Sequence, residues 1–139
     1  MRRVPTSRAG GNPGVPEESA DLQSLLGEFL QRSGAHASAI VSRSGVPLAW
    51  ALPQDAHVDN FGTMTATLFG ALEVIYTGLH KPAPERIVVQ SDGGILVAQA
   101  LTPKAFLVAI TPTESAEFSK AMAETATRAR ALLGASTVD

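Results

Sequence analysis

The stretch of sequence that decides the fold is NFGTMTATLFGALEVIYTGL, residues 60–79. Its large apolar side chains recur at the three- and four-residue spacing of one helical face: Phe61, Met64, Leu68, Leu72, Ile75 and Leu79. The neighbouring face is also nearly uncharged, because Glu73 is the only charged residue of the segment. A helix that is apolar on almost every side needs a cover besides its own sheet. The segment therefore predicts a helix that packs on a sheet and also on a partner.

The two apolar faces of this helix receive different assignments. Four residues are expected to pack on the helix's own sheet: Met64, Leu68, Leu72 and Ile75. The rotated face is expected to form a homodimer interface across a two-fold axis, and it consists of Gly62, Thr65, Phe69, Glu73 and Tyr76. Under this assignment Phe69→Glu gives a folded monomer. Glu73 is expected at the rim of the interface or paired with Arg86. The open alternative is a single chain in which the preceding linker and Trp50 cover the helix.

The same segment has nearly the length of a membrane span. It contains four threonines, three glycines and Glu73, and it follows Asp59, which is suited to cap a helix. These features argue against integral membrane insertion. The first fifteen residues lack the apolar core of a secretory signal, so a cytoplasmic location is expected.

Apolar periodicity and turn residues predict the elements on either side. Before the segment come a helix from Pro16 that ends at Gly34, strands over 37–43 and 46–52, and between them the turn Ser44-Gly45. After it come strands over 86–91, 95–101 and 105–110, and a helix that ends near Leu133, before Gly134. Pro47 places its strand at a sheet edge, because proline has no amide hydrogen. The apolar run 105–110 places its strand at the centre. Thr111 or, alternatively, Ser115 caps the last helix.

This element order predicts an α/β fold of the α+β type. A single domain over residues 16–134 holds a five-stranded, mostly antiparallel sheet, with two helices on one face and one on the other. Residues 1–15 contain three arginines and no acidic residue, and they are expected to form a disordered basic tail. A weak tether to an acidic partner or membrane surface is the sharper alternative for this tail. Residues 135–139 are expected to be a short C-terminal tail.

The composition excludes several classes of function. Apolar residues make up 45% of the chain, charged residues make up 17%, and the net charge is −2, so nucleic-acid binding is not expected. The absence of cysteine excludes disulfides, thiolate catalysis and thiolate metal ligands. The histidines, at positions 36, 57 and 80, show no metal-ligand spacing. No phosphate-binding loop or nucleophile motif is present. We therefore expect no cofactor, no metal and no catalytic residues, and a protein that acts by contact.

Four segments together resemble the roadblock/dynein light chain (LC7) family, in particular its prokaryotic members. They are AIVSRSGVPLA at 39–49, TMTATLFG at 63–70, RIVVQ at 86–90 with DGGILV at 92–97, and FLVAI at 106–110. The order and spacing of the segments carry the resemblance, which extends from about Asp21 to Leu133.

The resemblance implies that the first and last helices share one face of the sheet and that the second helix lies on the other. It also implies dimerisation through the second helix and the strand 86–91, with Arg86, Val88 and Gln90 at the pairing edge. Members of the family bind and regulate small Ras-like GTPases or act as scaffolds, and some prokaryotic members accelerate GTP hydrolysis. The resemblance therefore implies a homodimeric regulator or scaffold of a Ras-like GTPase.

Two residues are candidates for contacting such a partner. Trp50, the only tryptophan, either covers the predicted sheet edge or anchors a partner, because tryptophan is enriched at binding hot spots. Arg43 is one of the two arginines associated with the predicted sheet, so a finger that enters a GTPase site would be Arg43, Arg86 or a residue of the tail. A structural adaptor that recruits a protein without any GTPase, and a sensor of a small ligand, are the open alternatives.

Overall fold

The structure is a computed structural model that describes residues 17–54 and 56–135. The elements in these ranges follow the expected order: α1 (Glu17–Ser33), β1 (Ala37–Ser42), β2 (Pro47–Ala51), α2 (Val58–Gly78), β3 (Arg86–Ser91), β4 (Gly94–Thr102), β5 (Ala105–Thr111) and α3 (Ala116–Ala135). The expected basic tail, residues 1–15, and residues 136–139 lie outside the described residues. No helix within the described ranges is long and apolar enough to cross a bilayer.

The strands form one sheet, antiparallel throughout, in the order β2-β1-β5-β4-β3. The central position of β5 confirms the prediction from its apolar run, because a strand covered on both faces buries every side chain. Phe106, Leu107 and Val108 of β5 are almost completely buried. β2 lies at one edge, as Pro47 predicts, and β3 lies at the other.

The larger core lies between the sheet and the pair α1 and α3. The apolar stripe of α1 is buried here as predicted, and Phe29 contacts Phe118 of α3 with ring centroids 5.9 Å apart. Alanines on α3, among them Ala126 and Ala129, allow the two helices to approach closely. Ion pairs between exposed side chains, such as Arg128 with Glu28 at 3.3 Å, bridge the outer surfaces of α1 and α3 and contribute little stability.

The smaller core lies on the opposite face of the sheet. Among the described residues, the helix that covers this face is α2. The centre of this core is the stack of Phe69 on Phe106, with ring centroids 4.0 Å apart and planes 4° from parallel. Ala39 and Val41 of β1 and Ala98 of β4 complete this core. The predicted arrangement of two helices on one face and one on the other is therefore confirmed.

Three predicted helix boundaries need adjustment. The N-cap of α2 is His57, which makes no side-chain capping bond, so the prediction of Asp59 as the cap is wrong. Asp59 instead lies in the first turn, where a carboxylate complements the positive end of the helix dipole. Ser115 Oγ accepts the Phe118 amide at 3.0 Å and caps α3, while Thr111 is the last residue of β5. α3 also continues through Gly134 to Ala135.

Candidate functional site

The burial of α2 reverses the two faces predicted for it. Gly62, Thr65 and Phe69 are buried against the protomer's own sheet and the β1–β2 turn, although they were assigned to the dimer interface. Met64 and Ile75, assigned to the protomer core, are 60% and 55% exposed. Both faces are almost uncharged, with Glu73 as the only charged residue, so the polarity of the side chains does not identify the inner face. The predicted rotation of α2 is therefore wrong at these five positions. The other members of the two predicted faces are half-buried: Leu68, Leu72, Glu73 and Tyr76.

Gly62 lies on the inner face because the β1–β2 turn passes very close to it. A Cβ atom at Gly62 would lie 2.6 Å from the carbonyl oxygen of Gly45. Gly45 is itself buried and has a φ of 97°, a conformation that favours glycine. The hydroxyl of Thr65 donates to the Phe61 carbonyl oxygen at 2.8 Å, so its burial leaves no unsatisfied donor. Gly62 thus serves a contact between the helix and the turn inside the protomer.

Glu73 pairs with Arg43, and the expected pair with Arg86 does not form. Arg86 lies opposite Gln99, two residues from Val97, whose side chain belongs to the core under α1 and α3. Because alternate residues of a strand point to opposite faces, Arg86 projects away from α2. It forms its ion pair with Glu114, which precedes α3.

Arg43 connects three parts of the fold. Besides the ion pair with Glu73 of α2, its Nη1 donates to the Pro103 carbonyl oxygen at 3.3 Å, in the β4–β5 turn. Its backbone amide also donates to the Lys104 carbonyl oxygen at 2.8 Å. The guanidinium remains about half exposed, but both terminal nitrogens are engaged within the chain.

The outward side of α2 carries an apolar stripe, which we call the outer stripe. It consists of Met64, Leu68, Ile75 and Leu79, of which Met64, Ile75 and Leu79 are more than half exposed. Beside it runs a groove of about 330 Å³ between α2 and the sheet, lined mainly by Phe61, Met64, Leu68, Leu96, Ala98 and Val108. The outer stripe and this α2 groove form an exposed, uncharged surface.

The free edge of β3 lies next to this surface. The Ala100 amide donates to the Glu85 carbonyl oxygen at 2.8 Å, which identifies this opposed pair as hydrogen-bonded. Hydrogen-bonded pairs alternate along an antiparallel ladder, so Ile87 and Val89 also bond β4. The backbone groups of Arg86, Val88 and Gln90 therefore point to the free edge, and β3 pairs with β4 alone among the described strands.

Two side chains on β3 extend the surface but were missed from the sequence. Ile87 and Val89 lie opposite Ala98 and Leu96, which face α2, so both project to the α2 side of the sheet. Val89 is 44% exposed. Once the face to which each β4 side chain points is known, the alternation of side chains along RIVVQ places Ile87 and Val89 on the α2 side.

The two candidate partner-binding residues do not form one cluster. Trp50 is 40% exposed on the edge strand β2, opposite Ala39. Arg43 follows the far end of β1, and four residues of extended chain, about 13 Å, separate it from Ala39. In the part of the chain that the structure describes, no group of three potential ligands comes together to hold a metal ion.

Comparison with known proteins gives a family match and several structural likenesses. The family model described as Roadblock/LC7 domain matches residues 21–111, more than half of the chain. No curated protein matches.

Among solved structures, Myxococcus xanthus MglB has a TM-score of 0.81 at 12% identity, covering 89% of this chain and 97% of its own. A structure described as MglB with tetrameric arrangement has a TM-score of 0.78 at 17% identity, covering 90% and 98%. A Roadblock/LC7 domain from Streptomyces avermitilis has a TM-score of 0.68 at 15% identity, covering 81% and 97%. At these identities the likenesses establish the fold.

Proposed function

This chain belongs to the Roadblock/LC7 domain family, and from that premise we propose that it is a homodimeric regulator or scaffold of a small Ras-like GTPase. The observation that carries the proposal is a pair of unpartnered surfaces in the described chain, the free edge of β3 and the uncharged outer stripe of α2. The α2 groove reaches β4, the neighbour of β3, and Ile87 and Val89 of β3 project to the same face of the sheet.

A second copy of the chain satisfies both surfaces at once. A two-fold axis beside β3 pairs this strand with itself and continues the sheet across two chains. The same axis places α2 of both copies on one face of the continued sheet, and we propose that the two outer stripes meet there. Met64, Ile75, Ile87 and Val89 would then be buried in the interface, in place of Gly62, Thr65 and Phe69.

The pattern of outward backbone groups suggests one register for this pairing. Arg86, Val88 and Gln90 all form hydrogen bonds when Val88 lies opposite Val88 of the second copy, because Arg86 then lies opposite Gln90. Other symmetric registers leave at least one of these three residues without its bonds. We thus still propose these three positions for the pairing edge, where their main-chain groups would form the bonds.

The chemistry proposed for GTPase regulation uses contact rather than a catalytic group of this chain. Arg43 would have to break its bonds to Glu73 and Pro103 before it could act as a finger in a partner. A regulator can instead accelerate hydrolysis by binding preferentially the conformation of the switch loops that is competent for hydrolysis. We therefore propose that Trp50 anchors the partner. We propose that Arg43 joins α2 to the β4–β5 turn and does not enter the partner's site.

The test is to mix the purified chain with a Ras-like GTPase encoded beside its gene, loaded with GTP or GDP. We expect the chain to bind one of the two forms of the GTPase, GTP-loaded or GDP-loaded, more tightly than the other. Trp50→Ala is expected to weaken the complex by about tenfold or more, the scale of a hot-spot residue. Lys120→Ala, on the exposed surface of α3, is the control.

The outcomes separate the roles. An increased hydrolysis rate assigns the activating role, and a complex with unchanged hydrolysis and exchange assigns the scaffold role. If no complex forms in either nucleotide state, the proposed GTPase partner is excluded and the structural adaptor is favoured. Sedimentation of the chain alone measures the number of copies, for which a tetramer, as in one similar MglB, is the alternative to two.

A further inference from the structure

The two edges of the sheet are built differently. At the β3 edge the register with β4 is regular over all six residues, and the strand contains no proline. β2 begins with Pro47, which has no amide hydrogen to offer a neighbouring strand. Its register against β1 is also irregular, because Ile40 lies opposite Ala49 while Val41 lies opposite Pro47, which leaves Leu48 as an extra residue. Such a bulge twists an edge away from further pairing.

The outward amide and carbonyl groups of Trp50 in β2 are occupied by a side chain from α1. The Trp50 amide donates to Gln23 Oε1 at 3.1 Å, and Gln23 Nε2 donates to the Trp50 carbonyl oxygen. A primary amide offers one acceptor and one donor side by side, as does a residue of an adjacent antiparallel strand. Gln23 therefore fills the position that a sixth strand would take.

We propose that Gln23 is an edge lock that restricts extension of the sheet to β3, so that assembly ends at two chains. A sheet with two open edges would add copies at both and grow into an open filament. With β2 closed by Pro47, the bulge at Leu48 and the Gln23 amide, only the β3 edge accepts a second copy. This inference deepens the proposed homodimer and relies on its use of β3.

The decisive variant is Gln23→Met, which keeps the length of the side chain but removes both hydrogen-bonding groups. Gln31→Met is the matched control, because Gln31 is an exposed residue of the same helix and forms no bond to β2 in the described structure. Trp50 is the only tryptophan of the chain and lies on the edge in question, so its fluorescence reports contacts made through β2.

We expect the wild type and Gln31→Met to sediment as dimers at all micromolar concentrations. Gln23→Met should form species larger than two chains as its concentration rises, with a parallel blue shift of Trp50 emission. At low concentration its Trp50 amide should exchange hydrogen about fivefold faster than in the wild type, the effect of one lost hydrogen bond. A folded Gln23→Met that remains a dimer at high concentration overturns the proposal, and so does unchanged exchange at Trp50.

Failure of the proposed homodimer gives a different result. A monomeric wild type would overturn the dimer, but association of Gln23→Met with a shift in Trp50 emission would still support the edge lock. If Gln23→Met does not fold, Gln23→Ala replaces it with the same measurements, and the same two results overturn the proposal.

Discussion

At the scale of single residues, the sequence pattern does not distinguish the α2 side chains that lie in the interior from those that lie outward. Gly62 and Phe69 lie inward because each has a specific neighbour, the turn at Gly45 and the ring of Phe106. Met64 and Ile75 are equally apolar, yet they lie outward. Hydrophobicity alone therefore did not determine the orientation of α2, whereas the fit of particular atoms did.

Phe69→Glu and Ile75→Glu test that orientation with the same change on one helix. Phe69→Glu should largely unfold the protomer, because a buried carboxylate without a partner costs about 4 kcal/mol or more. Ile75→Glu should change protomer stability by about 0.5 kcal/mol or less and should abolish the dimer. Circular dichroism and sedimentation measure the two effects. A folded Phe69→Glu monomer would restore the orientation predicted from the sequence.

Gly62→Ala tests the close approach of α2 to the β1–β2 turn. Its Cβ would collide with a backbone oxygen, so we expect a loss of about 1–3 kcal/mol. Gly70→Ala is the control on the same helix, because a Cβ there meets nothing within 4 Å. It should stabilise the protein by up to about 1 kcal/mol, since alanine favours a helix. Urea denaturation compares the midpoints, and a gain for both variants would contradict the contact.

At the scale of elements, the order and approximate bounds of the helices and strands were predictable, because periodicity and turn residues act locally. The rotation of α2 and the pairing of Arg86 with Glu114 were not, because both depend on which face of the sheet a residue occupies. The edge position of β2 was predictable from Pro47, but its bond to Gln23 joins residues 27 positions apart, and no local signal connects them.

Val88→Pro tests β3 as a pairing edge. The Val88 amide points to the free edge, so proline leaves the ladder to β4 intact but removes a bond to a second copy. We expect a folded chain whose dimer dissociates at least about tenfold more readily, with Val88→Thr, which keeps the amide, as the control. Equilibrium sedimentation gives the dissociation constants, and equal values for the two variants would exclude β3.

At the scale of the whole molecule, the protomer has one face covered by two helices and one covered by α2 and, in the proposal, by a second copy. Stability should then depend on protein concentration, since association of folded chains favours the folded state. Tenfold dilution should lower the melting temperature by a few degrees, on the order expected for about 1 kcal/mol in a domain of this size. Calorimetry at two concentrations measures this change. Ile75→Glu is the monomeric control, whose melting temperature should not depend on concentration. A melting temperature that does not change on dilution would contradict a dimer that dissociates on unfolding.

The free edge of β3 has a further consequence for which chains can assemble together. In the proposed dimer its outward bonds would come from the main chain, which is the same in every protein, so pairing at β3 would supply affinity without distinguishing one chain from another. The choice between a second copy and a related chain would then depend on side chains, those of the outer stripe with Ile87 and Val89. Exchanging these few residues between two members of the family would exchange their partners while leaving both folds unchanged.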